Sequence, residues 1–173
     1  ATFTAADGFT GTGSVGVTAG SYTDAAGDPG RGASDTVSID TVAPSVVVDI
    51  VDTSLTRSDA VSVVTFTFSD APVGFTLADI TAVGGTLSGL TPTADPKVFT
   101  ATFTAAVGFT GTGSVGVTTG SYTDAAGDPG RGASDTVAID TVAPSVVVDI
   151  TDPSLNSGDK VSTVTFTFSD APV

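Results

Sequence analysis

The residues able to do chemistry in this chain are almost all carboxylates, and every one of the 19 acidic residues is an aspartate. Many fall in short polar runs: "VDTSLTRSD" holds Asp52 and Asp59, "SDAP" holds Asp70, and "TDAAGDPG" holds Asp124 and Asp128. Asp40 and Asp140 end the runs "SDTVSID" and "SDTVAID". A short carboxylate on a loop ligates a hard cation at little cost in side-chain entropy. Calcium takes about six to eight oxygens, from carboxylates, backbone carbonyls and water. Without a cation, crowded carboxylates repel and raise each other's pKa. The plainer use of aspartate is to cap turns and keep sheet edges soluble. That use suits Asp79 and Asp95.

Other chemistry has little to work with. The chain has no His, no Cys and no Glu, so neither a Ser–His–Asp nor a Cys–His arrangement is possible. Without Cys there is also no disulfide and no zinc–thiolate site. Five Lys and Arg against the aspartates leave a net charge of −14. That charge repels nucleic acid and anionic membrane, which bind through basic patches, and it favours cations. No apolar run is long enough to span a membrane. "GTGSVG" at Gly11, Gly13 and Gly16, repeated at Gly111, Gly113 and Gly116, has the spacing of a dinucleotide fingerprint. A strand and turn follow it where that motif needs a helix, so these glycines are expected to serve bulges or close strand packing. "DAAGDPGRGASD" lacks the third-position ligand and the sixth-position glycine of an EF-hand. No enzymatic activity, small-molecule substrate or organic cofactor is expected.

The elements that must position the aspartates follow from an internal repeat. Residues 1–43 match 101–143 without a gap, differing only at Asp7/Val107, Ala19/Thr119 and Ser38/Ala138. Residues 44–73 match 144–173 with seven differences, so residue n corresponds to residue n + 100. Self-similarity of this kind marks a tandem array. The division falls at Pro44 and Pro144, whose fixed φ suits a stiff entry into a first strand. This gives the end of one repeat at 1–43, a complete repeat at 44–143 and the start of another at 144–173. Apolar and polar residues alternate at period two, as in "VSVVTFTFSD", between clusters of Gly, Pro and Asp. The alternation predicts strands at 45–50, 61–69, 75–83, 86–91, 97–105, 112–122 and 134–140, with no helix. Seven short strands in about 100 residues is the count of an immunoglobulin-like β-sandwich. The fold class is therefore all-β, with sandwich repeats joined end to end as a rod. Each repeat is expected to advance the rod by roughly 40 Å. The partial repeats at 1–43 and 144–173 are not expected to fold alone, since each has half a core and open edges.

In such a sandwich the first strand starts at the pole that carries Asp70, Asp124 and Asp128, and the incoming linker brings Asp40. The opposite pole carries Asp52, Asp59 and Asp140. The partial repeats supply the corresponding residues Asp24, Asp28, Asp152, Asp159 and Asp170. Each junction then joins two acidic poles through an acidic linker.

"IDTVAPSV", "VTFTFSDAPVGFTLADITAVGGTLSGL" and "FTATFTAAVGFTGTGSVGVTTGSYTDAAGDPG" resemble the bacterial Ig-like repeats of giant repeats-in-toxin adhesins, and the resemblance covers the whole chain. It implies secretion to a bacterial cell surface, an extender role in a long array, and calcium ions near the junctions that stiffen it. Where that family often has Asn after "DAAG", this chain has Asp128, which keeps an oxygen ligand and adds charge. The partners implied are neighbouring repeats of the same chain. Two readings stay open at this point. The array is a spacer that projects a distal binding domain, or each repeat is itself a binding module for a glycan, ice or a protein. The Thr-x-Thr pairs (Thr2/Thr4, Thr65/Thr67, Thr102/Thr104) fit an ice-facing grid, and equally the ordinary outward face of a strand.

Overall fold

The computed structural model describes residues 1–172, so the last residue of the third segment lies outside the described residues. Residues 44–143 fold as two facing four-stranded sheets. The strands in chain order are β3 (Val46–Ile50), β4 (Ser54–Thr56), β5 (Val61–Phe68), β6 (Ile80–Val83), β7 (Gly85–Pro92), β8 (Val98–Ala105), β9 (Thr110–Val117) and β10 (Ala133–Asp140). They follow β1 (Thr10–Val17) and β2 (Ala33–Asp40), and precede β11 (Val146–Ile150) and β12 (Val164–Phe168). One sheet runs β3-β5-β8-β7 and the other β4-β10-β9-β6. Every pairing is antiparallel except β4 on β10.

The period-two pattern sets which face is buried. In β5, Val64, Phe66 and Phe68 point into the core, while Val61, Val63 and Thr67 point out. Phe103, Val115, Val137 and Ile139 close the core from β8, β9 and β10. Phe75 reaches in from a loop and stacks edge-to-face on Phe68 and Phe99, with centroids 4.9 and 5.4 Å apart. Such pairs add about 0.5–1.5 kcal/mol beyond the area they bury. Gly113 lies where Ile139 crosses β9. A Cβ there would stand 2.4 Å from Ile139 Cδ1, so this glycine serves close strand packing, as its place in "GTGSVG" suggested.

Three strands differ from the alternation's expectation. The first strand leaves its sheet after Ile50 and resumes as β4 in the other sheet, where Leu55 is buried. The break comes where the Asp52 N–H donates to Ser62 Oγ at 3.1 Å. The strand expected at 75–83 is only β6, because Leu77–Asp79 forms a single 3₁₀ turn. The Asp79 carboxylate accepts the Thr76 N–H (2.7 Å) and hydroxyl (2.9 Å) and so fixes that turn locally. The strand expected at 112–122 stops at Val117. Gly120, at φ 77°, turns the chain, and Tyr122 enters the core from the following loop.

The repeated segments adopt the same hairpins in different surroundings. β1–β2 has the register of β9–β10, and β11–β12 that of β3–β5. Yet Val115, Tyr122 and Phe66 are 0%, 2% and 0% exposed, whereas Val15, Tyr22 and Phe166 are 57%, 53% and 58% exposed.

Candidate functional site

The loop between β9 and β10 is built on one aspartate. Asp124 is buried, and its Oδ1 accepts the N–H groups of Ala126, Gly127 and Asp128 at 2.9, 2.9 and 3.0 Å. Three donors on one oxygen turn the chain back on itself and hold Asp128 beside Asp124. Asp128 is half-buried, and its Oδ2 is fully covered with no hydrogen-bond partner. An unpaired buried carboxylate oxygen costs free energy unless a cation or donor reaches it. Burial pushes the Asp128 carboxyl above the ordinary range, and the negative charges of Asp124 and then Asp40 push it further.

Asp40 lies on the segment that leads into the sandwich of residues 44–143. It ends β2, where its Oδ1 accepts the Thr10 hydroxyl at 2.8 Å and the Val42 N–H at 3.3 Å. The second bond begins the linker with an Asx-type turn. The linker then docks on the next repeat: the Pro44 carbonyl accepts the Arg131 N–H at 2.8 Å and the Tyr122 hydroxyl at 3.3 Å. So the charges of Asp124 and Asp40 both bear on Asp128, the second across the linker.

Asp70 stands apart from this trio in its bonding. Its Oδ2 accepts the Ser69 hydroxyl at 2.9 Å, and Lys97 Nζ lies 3.9 Å from its Oδ1. At the second junction, Asp140 repeats the Asp40 pattern toward Thr110 and Val142, at 3.0 and 3.2 Å. Asp140 and Asp170 share a cleft of about 460 Å³ with Thr110, Val142 and Pro144. Asp52 and Asp59 do not line it. Asp59 is tied into its own loop through Thr56, beside the end of β10. Asp152 and Asp159 donate their N–H groups to Ser162 and Asn156, and Asp24 repeats the loop-closing role of Asp124 in an exposed setting that also exposes Asp28. Among the described residues, no group of three or more acidic side chains is gathered as a metal cage. Asp95 accepts the Lys97 N–H at 2.9 Å and is a turn residue.

Sequence reasoning missed two contributors. Asp135 Oδ2 accepts the Ile50 N–H at 2.8 Å and ties the two sheets together. Tyr122 joins the loop core to the linker. No spacing rule marks either one, since both depend on the sheets being stacked.

A family model described as a bacterial Ig-like domain matches residues 40–139. No curated protein and no solved structure matches the chain.

Proposed function

The chain belongs to the bacterial Ig-like domain family, and on that premise we propose that it is a run of extender repeats from a bacterial surface adhesin, stiffened at its junctions by calcium. Domains of this family are typically non-catalytic structural modules of extracellular or surface proteins. Near-identity of successive repeats suits a spacer, in which the number of copies sets reach. The repeat 44–143 carries ten aspartates against Arg57, Lys97 and Arg131, so neighbouring poles repel unless a cation lies between them.

The observation that carries the calcium reading is the covered, unpartnered Asp128 Oδ2 beside Asp124 and facing the charge of Asp40. The donors fit a hard cation, being oxygen only. Asp128 and Asp124 would hold it, with the charge of Asp40 adding attraction, and with so few carboxylates the shell would be completed by backbone carbonyls and water. When bound, the ion would convert repulsion across the linker into a brace. Loop sites on extracellular modules bind weakly, with Kd of about 10⁻⁴–10⁻³ M. At ten times Kd, one site adds about 1.4 kcal/mol to stability.

Calorimetric calcium titration of the chain tests this, with scattering to read length. Heat of binding in the millimolar range, a higher Tm and a longer, straighter particle are expected. If chelator changes neither Tm nor length, the aspartates only solvate the poles, and the extender reading loses its mechanism.

A further inference from the structure

In the complete repeat the first strand runs beside the last from one pole to the other. At the entry pole the Arg131 N–H donates to the Pro44 carbonyl at 2.8 Å. Further along, the Ile50 N–H donates to Asp135 Oδ2 at 2.8 Å, and the Ala138 N–H donates to the Thr53 carbonyl at 3.3 Å. Toward the exit pole Ser54, Leu55 and Thr56 of β4 pair with Ala138, Ile139 and Asp140 of β10. The partner numbers rise together, so the first strand and β10 point the same way along this whole seam. Every other strand pairing among the described residues is antiparallel. β3 and β4 are edge strands of their sheets, so β5 and this seam are what hold the first strand laterally. Leu55 and Ile139 face each other across it with both side chains buried.

We propose that this parallel seam is a mechanical clasp, by which the repeat resists unfolding when the chain is pulled along its length. The inference deepens the extender reading and rests on it, since only an array under tension uses such a device. Tension on the repeat enters at Pro44 and leaves after Asp140, at opposite ends of β10. It drives the first strand and β10 in opposite directions along their own axes. Hydrogen bonds across a seam loaded that way share the force and must fail together. Pulled apart sideways, the same bonds would fail one after another. Register adds a second barrier. A slip of one residue turns Leu55 from the core to solvent, so the adjacent register cannot catch the moving strand. Unfolding under force is set by the unfolding rate, and the seam slows that rate for one direction of pull. Its donors and acceptors are already paired with each other, so it needs no cation.

Single-molecule pulling in chelator tests this, and the lack of native Cys lets a pair of introduced thiols define each direction of pull. Handles at Val42→Cys and Val142→Cys, both on exposed linker residues, load the seam along its strands. Handles at Ser58→Cys and Val142→Cys pull on the neighbouring ends of β4 and β10 and open the seam from one side. The first geometry should unfold at a several-fold higher force than the second. Removing the Asp135 carboxylate with Asp135→Ala should lower the force in the first geometry and leave the second nearly unchanged. Asp79→Ala removes a carboxylate that holds the 3₁₀ turn away from the seam, and it should not lower the force in the first geometry. Equal forces in the two geometries overturn the proposal. So does an Asp135→Ala loss that is matched by Asp79→Ala. The comparison of geometries uses neither aspartate variant, so it decides the matter even if Asp135→Ala does not fold. Because calcium is absent throughout, this result and the calcium titration can fail independently.

Discussion

The Tyr122 hydroxyl donates to the carbonyl of Pro44, 78 residues earlier, and also to that of Arg131 at 2.9 Å. One side chain therefore fastens the linker, the β9–β10 loop and the core at a single point. The ring is buried against Phe68 and Phe75, and the hydroxyl is its only polar atom. This makes the junction a packed contact of the repeat it enters, and it explains why Asp40 is held near Asp128.

Removing that hydroxyl should loosen the linker without opening the core. Tyr122→Phe is expected to cost about 1–2 kcal/mol, since two carbonyls lose a donor. Gly130→Ala should cost more, about 1–3 kcal/mol, because a Cβ there would stand 2.1 Å from the Tyr122 ring. The twin changes Tyr22→Phe and Gly30→Ala should leave the main thermal transition in place, because Tyr22 is exposed and its ring has room to move. Denaturant melts of the four variants check this.

Asp128→Asn separates repulsion from ligation. In chelator the variant should melt above the native chain, because it removes a charge that Asp124 and Asp40 oppose. In millimolar calcium the order should reverse, because the native carboxylate gains a cation. If the variant has the same calcium response as the native chain, Asp128 is not a ligand.

The same carboxylate sets a pH dependence. Its folded pKa lies above the ordinary value of 3.8, so folding favours its protonated form. Its contribution to stability is therefore fully present below 3.8 and is lost as pH rises through the raised folded value. In chelator, the gap between Asp128→Asn and the native chain should be widest at neutral pH and should close on acidification. Thermal melts at stepped pH measure it. A gap that stays constant would remove the electrostatic account of Asp128.

Burial predicts a large contrast between identical residues. Phe66→Ala deletes a fully buried ring and should cost about 3–5 kcal/mol. Phe166→Ala, at the same place in the repeat, should change the main transition by no more than about 0.5 kcal/mol at low protein concentration. Comparable losses at the two sites would mean that the terminal hairpins are packed in solution.

The period-two runs by themselves determined that this chain is made of strands, and which face of each is apolar. β5 and β8 follow their alternation almost residue for residue, because the pleat forces successive side chains to opposite sides. The internal repeat predicted a junction near Pro44, and the lack of His, Cys and Glu ruled out arrangements built on those side chains. The poles were legible too, because strand order in a sandwich dictates which loops share an end. The aspartate pairings were not, since a spacing along one chain carries no distance across a linker. The move of the first strand from one sheet to the other, and the entry of Tyr122 from a loop, are likewise decided by what lies across the core. Val15 and Val115 make the point most directly. They have the same neighbours in sequence and the same register on a partner strand, yet one is exposed and the other buried. Local sequence sets the direction of a side chain, but burial needs a second surface, and only the folded sandwich supplies it.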